Sequence, residues 1–313
     1  MEKKLELIGE VSRIQNLELL AKQVVEGFLI GLHKSPFHGF SVEFAEHRLY
    51  NPGESTRFID WKVYARTDRV YVKKFEEETN LRCQLVVDAS SSMYFPEIND
   101  AQNGLRKIDF AAVAAASVMN LLKKQRDSFG LTIFSDSVEQ QTEVKSSSVH
   151  YKLLLNNLES LVQRTPDKKK TSAAACLHEV ADKMHRRSMV IIFSDMFENI
   201  TEGSDEYSSL FAALQHLKHN KHEVILFYIL DKSKEMDFEF TNRPYRFIDL
   251  ETGERVKLNP NQVKELYVKQ MKEFYQQLKL RCGQYHIDMA EADINLGFRQ
   301  VLLPYLMKRM KFN

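Results

Sequence analysis

An apolar run, Leu85-Val86-Val87, stops at Asp88, and serines follow at positions 90, 91 and 92. The spacing Asp-x-Ser-x-Ser puts one carboxylate and two hydroxyls on a tight loop. Hard oxygens gathered this way suit Mg²⁺ or Mn²⁺, which take octahedral oxygen ligation. The same residues also make an ordinary serine-rich turn, so the motif needs further donors to become a site. A second apolar run, Met189 to Phe193, leads to Asp195. Aliphatic runs without alternation are expected as strands buried on both faces. Ligands of open α/β sheets collect outside the carboxyl ends of such strands. If these two strands are neighbours, Asp88 and Asp195 face one crevice. Thr171 stands at the start of a helical stretch, where its hydroxyl either caps the helix or leans into the crevice. The candidate metal ligands are therefore Asp88, Ser90, Ser92, Thr171 and Asp195, around Mg²⁺ or Mn²⁺. Loop hydroxyls and two carboxylates leave a coordination position for water or for an oxygen from outside.

The elements that must position these groups are legible as a strand–helix rhythm from Leu81 onward. Lys107 to Arg126 reads as a helix with an Ala-rich body, Phe129 to Phe134 as a strand, and Val138 to Val144 as a short edge strand. Helices are expected over Val149–Val162, Thr171–Met184 and Asp205–His219, with a strand at Glu223–Leu230. The segment 232–258 interrupts the rhythm as a β-hairpin insertion with a turn at Thr252-Gly253. A long helix over Pro260–Arg281, a short strand at Tyr285–Met289 and a closing helix at Leu296–Lys311 complete the chain. Parallel strands linked by helices on both faces predict an α/β fold with a doubly wound, mainly parallel sheet.

Residues 1–80 differ in character and are expected as a separate part, with 81–313 as the main domain. Leu17 to Leu32 has helical periodicity. The segment from His33 to Phe75 is rich in aromatic, Arg and turn residues, with short alternating stretches at Ser41–Phe44 and Val70–Lys73 and a turn at Asn51-Pro52-Gly53. It is expected as a small β-rich module. Arg48, Arg57, Arg66 and Arg69 with Trp61 and Tyr64 resemble a nucleic-acid surface in composition. The interleaved Glu54, Asp60 and Asp68 argue instead for internal ion pairs and a packed tryptophan.

Bulk properties narrow the classes. The chain has 313 residues, 43% hydrophobic and 28% charged, with a formal net charge of +1. That is a globular composition without the field that draws a protein to nucleic acid or anionic lipid. No apolar run approaches the roughly 20 residues of a membrane span, and a cytoplasmic location is expected. Cys83, Cys176 and Cys282 are widely spaced, odd in number and outside any zinc spacing, so reduced thiols are expected. His216, His219 and His222 cross a helix end and are expected to face solvent. Neither a Gly-rich phosphate cradle nor a G-x-S-x-G elbow is present. His178-Glu179 begins a zincin-like pattern that Asp182 breaks. The enzymatic alternative is a Mg-dependent phosphoryl-transfer or hydrolase enzyme using the Asp88 and Asp195 carboxylates.

The stretches VVDASSSM, KKTSAAACLHEVADKM and VIIFSDMFEN together resemble the von Willebrand factor A domain. That family carries a metal-ion-dependent adhesion site made by Asp-x-Ser-x-Ser, a Thr and a later Asp, matched here by Asp88, Ser90, Ser92, Thr171 and Asp195. Ser91 stands where many relatives have Gly. The lysine-rich loop Lys168–Lys170 replaces the usual glycines, so Thr165 and Ser172 are rivals to Thr171. The segment FHGFSVEFAEHRLYNPGESTRFIDWKVYARTDRVYVKKFEEE resembles the signature of the domain-of-unknown-function fifty-eight family, bacterial proteins that pair it with a von Willebrand A-like domain. The resemblance covers the chain from about Phe37 onward. It implies a non-enzymatic protein-binding module, with a MoxR-type AAA+ ATPase as partner and an adaptor or co-chaperone role.

Overall fold

The computed structural model describes residues 16–33, 47–49, 61–67, 69–73, 81–96, 104–164, 172–197, 206–250 and 253–310. The chain divides into two compact units, Leu29–Asn80 and the remainder, Met1–Phe28 with Leu81–Asn313. Helix α1 (Leu17–His33) begins at Asn16, whose Oδ1 accepts the Leu19 N–H at 2.9 Å. That bond satisfies one of the orphan donors of the first turn. α1 buries Leu17, Leu20, Ala21, Val24 and Val25, and its Leu17 N–H donates to Glu159 Oε1 at 2.9 Å.

In the smaller unit, β1 (His47–Leu49) pairs antiparallel with β2 (Tyr71–Lys73), and α2 (Trp61–Thr67) lies between them in sequence. The segment expected as β-rich also holds the short helix α2, and the expectation of a packed tryptophan fails. Trp61 is 61% exposed and meets Tyr64 edge-on at 6.1 Å. The two rings are one helical turn apart on a two-turn helix, so they cover each other at the surface. Arg66 and Arg69 are exposed as well. Ser41–Phe44, Asn51–Gly53, Glu54, Arg57, Asp60 and Asp68 lie outside the described residues.

The larger unit runs β3 (Arg82–Asp88), α3 (Lys107–Lys124), β4 (Ser128–Phe134), β5 (Val138–Gln141), α4 (Ser148–Gln163), α5 (Ala173–Lys183), β6 (Met189–Ser194), α6 (Glu206–His219), β7 (Glu223–Leu230), β8 (Tyr245–Ile248), β9 (Arg255–Leu258), α7 (Pro260–Gln284), β10 (Asp288–Asp293) and α8 (Arg299–Met310). Six strands form one sheet in the order β10-β7-β6-β3-β4-β5. All neighbours are parallel except β5, which returns antiparallel along β4. The order reverses direction between β3 and β6. The result is a mixed α/β fold, a mostly parallel sheet flanked by helices.

The aliphatic runs that mark β3, β4, β6 and β7 are buried on both sides, as helices on both faces require. One face takes Val86, Phe134, Val190, Ile192, Val224 and Leu226 into a core with α5, α6 and α7. The other is covered by α3, with α4 and α8 packed beyond it. Small residues let α3 lie close to the sheet, and Phe110 stacks on Phe298, just ahead of α8, at 4.7 Å. Asp109 fixes the start of α3 by accepting the Arg106 N–H at 3.1 Å and both ends of its guanidinium fork.

Three other elements depart from expectation. The insertion opens with a π-helical turn, Lys232–Met236, before the β8–β9 hairpin; Gly253 takes φ +73° at its tip. α7 continues past Gly283, and the chain reverses at His286, φ +55°. The last strand is therefore displaced to Asp288–Asp293, not Tyr285–Met289. An edge strand carrying Asp288, Glu291 and Asp293 has no apolar run to announce it; pairing with β7 supplies its conformation.

Candidate metal centre

The reversal of strand order places the carboxyl ends of β3 and β6 side by side, the crevice where open α/β sheets bind ligands. Val87 pairs with Phe193, so Asp88 lies level with Ser194. Ser194 Oγ donates to Asp88 Oδ2 at 2.6 Å and accepts the Met196 N–H at 2.8 Å. The other Asp88 oxygen, Oδ1, accepts the Ser90 N–H at 2.9 Å, an Asx-type turn that aims the serine loop back over the strand end. The loop continues as a 3₁₀ turn over Ser91–Tyr94, with Met93 and Tyr94 buried beneath it. Ser90 Oγ and Ser92 Oγ come to rest 3.0 Å apart. Asp195, one residue beyond β6, is buried; its Oδ1 accepts the Phe197 N–H at 3.0 Å.

Asp88 is fully buried. Burial, and then the charge of Asp195, raise its pKa to about 7, against the pull of the Ser194 and Ser90 hydrogen bonds. Lys107, the first residue of α3, enters the same crevice and is also buried. Its Nζ donates to Asp195 Oδ2 at 2.7 Å and to Glu235 Oε1 at 2.5 Å. Burial alone would lower its pKa; Asp195 and Glu235 overcome that and keep the ammonium charged. Burial raises the Glu235 pKa while Lys107 draws it down.

Of the five expected ligands, Asp88, Ser90, Ser92 and Asp195 meet at this strand end. Thr171 and its rival Thr165 lie outside the described residues. Ser172 is described; its N–H donates to Ser135 O at 3.3 Å. Ser194, Lys107 and Glu235 were not expected. Ser194 had a signal, being the hydroxyl next to Asp195. Lys107 and Glu235 carry none, since only the fold joins helix start to post-strand turn. Among the described residues, no group of three or more His, Cys, Asp or Glu side chains is placed to hold a metal. The 3.0 Å between Ser90 Oγ and Ser92 Oγ is a hydrogen bond in the ion-free protein, and it equals the spacing of adjacent ligands of an octahedral Mg²⁺, which stand about 3 Å apart when each is roughly 2.1 Å from the ion.

The histidine expectation fails in part. His222 is buried with Nδ1 accepting the Ser188 N–H at 3.3 Å, and His216 pairs with His178, Nδ1 to Nδ1, at 3.0 Å. His222 opens onto β7, where the core closes over it, and burial lowers its pKa. Cys83, Cys176 and Cys282 are buried free thiols. No helix among the described residues is long and apolar enough to cross a membrane.

Residues 46–276 match the family described as "Protein of unknown function DUF58". The chain belongs to that family. Similar curated proteins include the uncharacterized proteins Rv1480 of Mycobacterium tuberculosis and Mb1516 of Mycobacterium bovis, each 29% identical over 182 residues. Each match takes in 58% of this DUF58 chain and 56% of the relative, so the chain spans about half the length of the curated relatives it matches. Among solved structures, an aerotolerance-related membrane protein from Bacteroides fragilis is 12% identical, covering 73% of this chain and 99% of that one at a TM-score of 0.45. The conserved hypothetical protein BatB from Bacteroides thetaiotaomicron is 12% identical, covering 74% and 100% at 0.43. The PilB minor pilin from Streptococcus sanguinis is 9% identical, covering 78% and 64% at 0.42. At these scores the likenesses assign neither fold nor function to the DUF58 chain.

Proposed function

We propose that this DUF58 protein is a non-enzymatic protein-binding module of the von Willebrand A type. It captures a partner carboxylate through Mg²⁺ or Mn²⁺ held at the β3–β6 strand ends. The observation that carries the reading is the pair of hydroxyls, Ser90 Oγ and Ser92 Oγ, 3.0 Å apart beside the buried Asp88. Neutral first ligands leave the ion electrophilic toward an anion from outside. Thr171 is the proposed further hydroxyl ligand, and Asp195 the second carboxylate. The strand order, reversing between β3 and β6, supports a doubly wound sheet with the site at its switch point. In the ion-free protein both Asp88 oxygens accept hydrogen bonds and Lys107 holds Asp195 Oδ2, so an ion enters by displacing part of these contacts.

The partner we propose is a MoxR-type AAA+ ATPase, with this chain as adaptor or co-chaperone in a cytoplasmic setting. The test is co-purification of that ATPase with the full chain from native cells. Wild type in Mg²⁺ is expected to retain it. Asp88→Ala, shown folded by its circular dichroism, and wild type in excess EDTA are expected to lose it. Undiminished recovery in both would refute the reading.

A further inference from the structure

A lysine this deep is unusual, and its surroundings explain it. Lys107 has 1% of its surface exposed, and its stem leaves α3 at a backbone fixed by the bond from Lys107 N–H to Phe95 O, 2.9 Å, on the serine loop. Glu235, its second partner, is itself anchored, Oε2 accepting the Asp231 N–H at 2.7 Å. The ammonium is therefore pinned between two fixed carboxylates and does not swing out to solvent. Two carboxylates, Asp195 and Glu235, hold the Lys107 ammonium, and the charge of Asp195 is felt in turn by Asp88. A buried ion pair of this kind costs desolvation that packed apolar side chains would avoid. The pair lies at the candidate site itself, where its charge acts on any cation bound beside Asp195.

We propose that Lys107 is a resident counter-cation that sets the affinity of this site for a divalent ion. It holds Asp195 when no ion is present and weakens the site's grip when one arrives. The inference rests on the metal reading above. A divalent ion added to two carboxylates and one ammonium leaves the crevice with a net positive charge, ready to accept a further carboxylate from outside. Without the ammonium, the two carboxylates grip the ion more tightly and the outside carboxylate is drawn less. Lys107 thus exchanges ion affinity for readiness to bind a partner acid. It acts as a positioning residue through Asp195, not as a ligand.

The test is Mn²⁺ titration of the full chain, following the free-Mn²⁺ electron paramagnetic resonance signal. Lys107→Met is expected to bind Mn²⁺ about tenfold more tightly than wild type. Its melting temperature is expected to fall without the ion and to recover with it. Glu235→Gln leaves the ammonium to Asp195 alone, and is expected to bind Mn²⁺ several-fold more weakly. It carries the test if Lys107→Met does not fold. Equal or weaker binding by Lys107→Met, or equal or tighter binding by Glu235→Gln, overturns the inference. A Ser90→Ala/Ser92→Ala control separates the two layers. If wild type binds and that control does not, a null result with Lys107→Met defeats the counter-cation role alone. If wild type and control behave alike, the metal reading itself fails.

Discussion

Asp88→Asn isolates the cost of the buried carboxylate. In the folded chain Asp88 titrates near 7 instead of its ordinary 3.8, because burial and the Asp195 charge oppose ionisation. Between those two pH values the folded state keeps a proton that the unfolded chain has released. Wild-type stability therefore falls as pH rises through that window, and the full loss is present above about pH 7. The difference corresponds to about 4 kcal/mol. Asparagine is never charged and escapes it. Its oxygen still accepts the Ser90 N–H, but its amide must donate to Ser194 Oγ, whose hydroxyl loses its acceptor, at about 1–2 kcal/mol. The metal-free variant should be about 2 kcal/mol more stable than wild type at pH 8, with the advantage fading toward pH 4. Urea unfolding in EDTA across that range measures it. A pH-independent difference between the two proteins, or a less stable variant at pH 8, would refute the reasoning. Saturating Mn²⁺ should stabilise wild type and leave Asp88→Asn unmoved.

Two further outcomes follow from the packing. Gly130→Ala would drive a Cβ into the Gln84 amide oxygen and to 3.0 Å from Thr142 O, where Gln84 Nε2 donates to Thr132 Oγ1 at 2.9 Å. Overpacking of this kind should cost about 1–3 kcal/mol in denaturant unfolding, with the sheet retained by circular dichroism. Asp195→Ala leaves the buried Lys107 ammonium to Glu235 alone, and should destabilise the metal-free chain by about 3 kcal/mol or more at neutral pH. Adding Lys107→Met to it should restore part of that loss, since the stranded cation is gone.

How much of this was legible in the sequence depends on which residues carry the signal. The inner strands announce themselves, because a strand covered on both faces is aliphatic throughout, as at Leu85–Val87 and Met189–Phe193. The carboxylates at their ends were legible for the same reason: a charge after such a run marks the sheet's rim. β10 was misplaced because an edge strand needs no apolar run, and α7 was cut short because Gly283 reads as a stop while the chain turns at His286. The residue type of Trp61 predicts core, whereas among the described residues it meets Tyr64 and stays exposed. The candidate site was half legible. Asp88, Ser90 and Ser92 form a local pattern, but Lys107 and Asp195 meet across 88 positions of chain. Their juxtaposition depends on the packing of α3 over the sheet, which no spacing encodes.

The central claim is that a divalent ion sits at the β3–β6 strand ends on the Ser90 and Ser92 hydroxyls. The most direct measurement is anomalous X-ray scattering from crystals of the full chain grown with Mn²⁺. The account predicts a manganese peak within bonding distance of both Ser90 Oγ and Ser92 Oγ, with Asp88 still holding the Ser90 N–H. A crystal in which manganese is bound elsewhere, or in which that crevice shows no anomalous density at saturating ion, would contradict it.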